Sequence, residues 1–291
     1  MPDHFGRAFA IGALLNIAFV AIELGYGFVS NSLALIADAA HNFSDVIGLL
    51  MAWAAHALRK RAPTRTYTYG YLRASILASV ANAGLLLGAV ALIGYQAVTR
   101  FINPQDVETG IVGWVAAIGI VINLGTALMF LRGRKDDINI NGAFLHMAAD
   151  AGVSLGVVAG AVLIAATGMH WIDPVLSLII AAVILVSSWD LARKSLGLAM
   201  DAVPHGIDRG QVETFLSSLP GVTSVHDLHI WAMGTTENAL TVHLVRPGHG
   251  LDDAFLMDTC KQLNDRFNIS HATIQIEAGV QDCPLQPEDR V

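Results

Sequence analysis

The chain has 291 residues, 54% of them hydrophobic and only 14% charged, with a mean hydropathy of +0.55, a composition that excludes a soluble domain of this size. Residues 1–203 carry 12 basic and 12 acidic side chains whereas 204–291 carry 5 and 12, so the whole net charge of −7 sits in the tail and nucleic acid is excluded as a partner. Two cysteines, Cys260 and Cys283, are too few for a disulfide framework and fit a reducing compartment.

Six long apolar runs are expected to be transmembrane helices. The first lies between about Ala8 and Val29, the second Leu33 to Leu58, the third Leu72 to Thr99. The fourth covers Ile111 to Leu131, the fifth Ala143 to Thr167 and the sixth Ile172 to Leu191. At ~1.5 Å per residue, about 20 residues cross a ~30 Å hydrocarbon layer. Met1 to Arg7 carry little positive charge and the run after them is too long for a cleavable leader, so the first span is read as retained. Arg7, Arg59-Lys60-Arg61, Arg65, Arg132, Arg134, Lys135, Arg193 and Lys194 all fall on one side of six alternating spans. The opposite loops hold one arginine, Arg100, so both termini are expected in the cytoplasm. Glycines recur at 84, 88 and 94 in the third span, and Gly152, Gly156 and Gly160 in the fifth form a doubled small-xxx-small pattern of the kind that lets backbones approach closely, with ordinary glycine use in membrane helices as the equal alternative for any one of them.

The tail from Pro204 has a different texture. Gln211 to Leu219 predicts a short amphipathic helix stopped by Pro220-Gly221, and Val225 to Met233 alternates like a strand. A turn near Gly234 leads to a second strand, Ala239 to Val245; Leu251 to Phe267 has helical periodicity and Ala272 to Glu277 is a third strand. The expected fold is thus an α-helical membrane protein with six transmembrane helices and a C-terminal α+β ferredoxin-like domain, divided into a transport domain, 1–203, and a cytoplasmic domain, 204–291.

Chemistry concentrates in two echoing spacings. His41-Asn42-Phe43-Ser44-Asp45 lies in the second span and His146-Met147-Ala148-Ala149-Asp150 in the fifth. Residues four apart share one face of a helix, so each pair aims an imidazole and a carboxylate at one point. Two such helices side by side offer two nitrogens and two oxygens to one tetrahedral cation, a set suited to zinc. Charges at membrane depth are costly and therefore informative. Asp38, one turn before His41, is a candidate to orient an imidazole, with helix-end polarity as the plainer alternative. Asn16, Glu23, Asn82 and Asn123 are read as helix contacts rather than a polar path. Zinc needs neutral imidazole and ionised carboxylate, so loading the site displaces protons. A site that holds either protons or one divalent ion is an exchanger, and antiport follows as the expected mode.

Ser32-Leu33-Ala34-Leu35-Ile36-Ala37-Asp38-Ala39-Ala40-His41 with Asp45 resembles the second helix of the cation diffusion facilitator family, and Ala143-Phe144-Leu145-His146 with Asp150 resembles the fifth. Val225-His226-Asp227-Leu228-His229-Ile230-Trp231 and His271-Ala272-Thr273-Ile274-Gln275-Ile276-Glu277 are similar to the cytoplasmic domain of its bacterial and animal zinc-transporter branch. The resemblance implies a homodimeric, proton-coupled zinc exporter of the bacterial inner membrane, with no organic cofactor and no enzymatic activity. It makes His41, Asp45, His146 and Asp150 the ligands of the transported zinc, as in zinc- and cadmium-handling members. It further places His226, His243 and Glu277 at cytoplasmic zinc-ligand positions, with plain hydrogen bonding on a half-buried sheet as the alternative; His229 and His271 either complete the site or support the fold, and Cys283 is a candidate soft ligand. Two acidic tails repel, and bound divalent cations would ease their approach. The chain departs from many relatives in lacking a histidine-rich terminus, which shrinks to His4, and a histidine-rich loop, which shrinks to Arg132 through Asn139. Tyr67-Thr68-Tyr69-Gly70-Tyr71 stands where some relatives bind a second metal, and none is expected there.

Two rival functions differ in class. In a membrane-anchored metal sensor the tail would sense and the spans only anchor. An intramembrane metallohydrolase would need a carboxylate base as in His-Glu-x-x-His, and neither motif holds a Glu. The ligand set alone leaves zinc, cadmium, cobalt, nickel and iron open.

Overall fold

The computed structural model describes residues 17–131, 138–249, 252–280 and 283–285. Residues 8–16 of the expected first span, with Asn16, His4 and the basic cluster Arg132, Arg134 and Lys135, lie outside the described residues. Six helices come first: α1 (Ile17–Val29), α2 (Leu33–Arg59), α3 (Ala74–Ile102), α4 (Thr109–Phe130), α5 (Ile138–Thr167) and α6 (Ile172–Ala199). Five of them, α2 to α6, are long and apolar enough to cross a membrane. Their large apolar side chains point outward as well as inward: Leu92 is 64% exposed, Trp114 76% and Val186 76%. Helices that show apolar groups all round are built for a lipid solvent, where the backbone satisfies itself.

Two compact units emerge, Met1–Leu50 with Asn82–Asp190, and Met51–Ala81 with Leu191–Val291. The first unit is a helical bundle. Its core joins Phe19 of α1, Leu33, Leu35 and Ala37 of α2, Val112 and Ala116 of α4, Val157 and Ala161 of α5, and Ile180 and Ile184 of α6. The small-residue pattern of the fifth span is only partly used for packing: a Cβ at Gly152 or Gly156 would meet nothing within 4 Å, and only one at Gly160 would strike a neighbour, Leu176. Gly84, Gly88 and Gly94 are similarly open. The close approaches that matter were not singled out by spacing. A Cβ at Gly119 of α4 would lie 2.7 Å from Cζ of the buried Phe19, and one at Gly27 of α1 would lie 2.8 Å from Cγ1 of Ile36.

The second unit holds the α+β domain: α7 (Arg209–Ser217), β1 (Ser224–Ala232), β2 (Asn238–Val245), α8 (Asp253–Phe267) and β3 (Ile269–Glu277). The sheet order is β1-β2-β3, with β1 antiparallel and β3 parallel to β2. Asp208 caps α7 by accepting from the backbone of Gly210 and Gln211, and Asp252 caps α8 by accepting from Phe255 N. The Phe255 N–H, with help from the Arg246 guanidinium, holds the Asp252 carboxyl below the usual carboxylate range. Val212 and Leu216 of α7 and Leu263 of α8 bury against Leu228, Ile230, Leu240, Val242 and Leu244. Helix and strand ends differ from the sequence expectation by a few residues. The larger difference is α6, which continues to Ala199 rather than ending at Leu191. Hydropathy falls at Arg193-Lys194, but Leu191 to Ala199 contains good helix formers, so apolarity stops before the helix does.

In this unit the ends of α2 and α3 meet the sheet's β1–β2 hairpin. Arg59 pairs with Glu237 at 3.0 Å and donates to Thr236 Oγ1 at 2.7 Å, while Thr235 N donates to Ser75 Oγ at 3.1 Å. Gly234 is required in that hairpin, since a Cβ would lie 3.0 Å from the Leu72 carbonyl. Overpacking a rigid contact costs about 1–3 kcal/mol, whereas Gly→Ala at an open helical position gains about 0.5–1 kcal/mol. Gly119→Ala is therefore expected to lower the thermal midpoint of the detergent-solubilised protein and Gly152→Ala to leave it unchanged or raise it, as read by scanning fluorimetry.

Candidate metal centre

The helical period of α2 and α5 brings all four motif side chains to one place. His41 Nε2 lies 3.7 Å from Asp45 Oδ2 and 3.6 Å from Asp150 Oδ1. His146 Nε2 lies 3.1 Å from Asp45 Oδ2 and 3.6 Å from Asp150 Oδ2. The imidazoles meet edge to face, centroids 5.9 Å apart. Each histidine thus touches the carboxylate of its own helix and that of the other. The tightest set, with ligand atoms all within 4.8 Å of one another, is His41, Asp45 and His146. Asp150 reaches both imidazoles but stands outside that set, and it is the deepest of the four at 3% side-chain exposure against 41% for His146.

These separations have a chemical meaning. Ligand atoms ~2.0–2.1 Å from a tetrahedral zinc lie about 3.3–3.4 Å from each other. The four nitrogen–oxygen separations scatter around that edge length. Asp45 Oδ2 and Asp150 Oδ2 are buried and make no hydrogen bond of acceptable geometry, so their lone pairs converge on the shared space. The donor set fits a divalent cation as cargo.

Asp38 does not orient His41. Its Oδ2 accepts from Ser154 Oγ of α5 at 3.0 Å, and His41 Nδ1 has no partner. Asn42 Nδ2 donates to Glu23 Oε2 at 3.3 Å, and Ser44 Oγ donates to Asn82 Oδ1 at 3.2 Å. Glu23, Asp38 and Asn42 are all 0% exposed.

A second cluster was missed by sequence reasoning. Asp173, at the start of α6, accepts from Ser32 Oγ at 2.6 Å, Leu33 N at 2.8 Å and Ala34 N at 3.3 Å. Arg100 of α3 donates to the same carboxylate at 3.3 Å and to the Asn31 carbonyl at 2.6 Å. A carboxylate on the positive end of a helix, backed by a guanidinium, is satisfied in full. It fixes the N-terminus of α2, eight residues before His41. The signal in the sequence was an Asp and an Arg near span ends, but nothing local links residues 32 and 173.

On the sheet, His226 and His243 are cross-strand partners, and Glu277 ends β3 beside Val245. His243 Nδ1 lies 2.9 Å from Glu277 Oε1, His226 Nε2 3.5 Å from Glu277 Oε2, and Cys283 Sγ 3.6 Å from His243 Nδ1. Ligand atoms of His226, His243, Glu277 and Cys283 fall within 4.8 Å of one another. A bulge between His226 and His229, with Asp227 at φ 50°, keeps two successive residues off the core face. Asp227 Oδ2 then comes within 3.5 Å of His243 Nε2, and its Oδ1 within 2.9 Å of His229 Nε2. His229 therefore joins the rim through Asp227. His271 does not join: its ring stacks edge to face on Tyr69 at 5.4 Å.

With both clusters in view, the comparison with known proteins is decisive. The cation efflux transmembrane domain matches residues 9–198, and the cation efflux protein cytoplasmic domain matches residues 204–279. The chain belongs to the cation efflux family. It is 38% identical over 279 residues to the metal cation efflux system protein CzcD of Cupriavidus metallidurans, covering 94% of this chain and 88% of that one. It is 33% identical to the cadmium, cobalt and zinc/H(+)-K(+) antiporter of Bacillus subtilis, over 93% of this chain and 88% of that one. It is 34% identical to the zinc transporter ZitB of Escherichia coli, over 94% of this chain and 88% of that one. As a member of this family the protein is a multi-pass membrane transporter that exports metal cations, and not an enzyme.

Removing the Asp173 carboxylate leaves Arg100 unpaired at 13% side-chain exposure. Loss of one partner of a buried pair costs about 3–5 kcal/mol. Asp173→Ala is expected to lower the thermal midpoint more than any single substitution at His41 or Asp45, measured in the same detergent.

Proposed function

We propose that the protein exports zinc by proton-coupled antiport and alternating access, with His41, Asp45, His146 and Asp150 holding the transported ion. The observation that carries this is the crossed geometry, each imidazole within 3.1–3.7 Å of both carboxylates. Two imidazoles and two carboxylates bind a borderline-soft cation and bind protons when it leaves, so both cargoes use one set of atoms. The relatives named for zinc, and for cadmium, cobalt and zinc exchange against protons, support this assignment. Residues 1–203 form the transport domain and 204–291 the cytoplasmic one; both termini face the cytoplasm of a bacterial inner membrane, following the loop arginines and lysines.

The cytoplasmic domain pairs two chains into a homodimer and binds a further zinc through His226, His243 and Glu277, with Cys283 as a fourth donor. A thiolate and imidazoles suit zinc over magnesium or calcium. Metal there offsets the tail's acidic charge and favours close pairing of two tails.

Two measurements test these assignments. In proteoliposomes, zinc uptake by the wild type is expected to follow an imposed pH gradient, and Asp45→Ala to abolish it; uptake indifferent to the gradient would remove the exchange step. In calorimetry on the full chain, the pair His226→Ala and His243→Ala is expected to remove about one bound zinc per protomer while leaving the membrane site filled. Unchanged zinc binding would refute the cytoplasmic site.

A further inference from the structure

One turn before His41 lies a buried polar group that metal binding does not use. Glu23 of α1 and Asp38 of α2 are each 0% exposed, and their carboxyl groups are within hydrogen-bond reach of each other. Asn42 Nδ2 holds one oxygen of Glu23 at 3.3 Å, and Ser154 Oγ of α5 holds one oxygen of Asp38 at 3.0 Å. The remaining oxygens, Glu23 Oε1 and Asp38 Oδ1, have no partner, and neither has Asn42 Oδ1, all buried. The titratable groups that face the pair are His41 from α2 and Asp150 from α5. Among the described residues no arginine or lysine pairs with either acid.

Double ionisation of two carboxylates in contact among apolar helices is strongly disfavoured, and such pairs hold one proton between them. The proton bridges the two acids and gives one unpartnered oxygen its partner. A divalent ion arriving among His41, Asp45, His146 and Asp150 brings two positive charges to the next turn of the same helix. That field stabilises a second anion on the Glu23–Asp38 pair and weakens its hold on the proton.

Building on the antiport reading above, we propose that Glu23 and Asp38 jointly hold one proton, separate from any on the metal ligands, that is released when the cation binds. The shared O–H bond breaks, the proton passes to water, and the pair is left doubly anionic beside the bound metal; departure of the metal reverses each step. Glu23 lies on a different helix from any metal ligand, so the exchange also registers how α1 and α2 sit together. Asn42 ties the two, being bonded to Glu23 and adjacent in sequence to His41.

The test counts protons. Purified full-length protein is titrated with zinc by calorimetry in buffers of differing ionisation enthalpy, giving protons released per zinc bound. Glu23→Gln and Asp38→Asn are each expected to bind zinc at the wild-type stoichiometry while releasing about one proton fewer. Release equal to wild type in both variants would overturn the proposal. Each substitution is the neutral counterpart of a protonated acid, so folded yield near wild type is part of the expectation, and loss of folded protein in both would equally count against a neutral pair. Replacing potassium with choline is expected to leave the count unchanged. A count that moves with potassium would reassign the buried oxygens to a monovalent cation and overturn it as well. If the wild type itself released no proton, the antiport reading would fail, a result distinct from the others.

Discussion

Charge compensation within the helical bundle governs this protein. Asp45, Asp150 and Asp173 all lie among apolar helices, where an unneutralised carboxylate is costly. The bundle answers in two ways. Asp173 is neutralised permanently, by Arg100 and by the backbone N–H groups of α2, and it is correspondingly a fixture of the architecture. Among the described residues the ion partners of Asp45 and Asp150 are imidazoles, which carry charge only when protonated. On the function proposed above, the distinction between a guanidinium and an imidazole partner separates the scaffold from the exchanging site. It also sets apart carboxylates that look alike in a hydropathy plot but have different surroundings.

The cytoplasmic sheet solves a different problem with a different device. A strand that alternates strictly could show only every second residue to the face away from α7 and α8. The bulge at Asp227 relaxes that rule, so that His226 and Asp227 both stand on the histidine-bearing face while Leu228 and Ile230 return to the core. The donor-rich face is thus obtained without loss of hydrophobic packing beneath it, and the acidic and thiol groups of Glu277 and Cys283 close around it from the chain's end.

Much of this was legible in the sequence. The spans could be read because apolar length is set by the bilayer, and the two His-x-x-x-Asp pairs because a four-residue spacing forces a common helix face. The order of elements in the tail followed from alternation and turn residues. What escaped was whatever depends on contacts between distant segments. The Ser32–Asp173 bond spans 141 positions, so no window reveals it. Asp38 sits at the right spacing to serve His41 but turns to Ser154 on another helix, and His271 lies in a family-like motif yet packs on Tyr69. Glycine periodicity marks which residues share a face but not which face meets a neighbour; within the chain Gly119 and Gly27 make the close approaches, while Gly152 and Gly156 do not.

The tether at the start of α2 limits how that helix can move. With Leu33 held by Asp173, the helix cannot slide along its axis without breaking several charge-assisted bonds, so tilting about that end is the cheaper movement. His41 stands roughly 12 Å along the rod from the pivot, at ~1.5 Å per residue, so a swing of about 5° carries its ring through roughly 1 Å. A coordination bond tolerates far less than that. Small angular play at a pinned joint is therefore enough to carry the ring of His41 farther than a coordination bond tolerates.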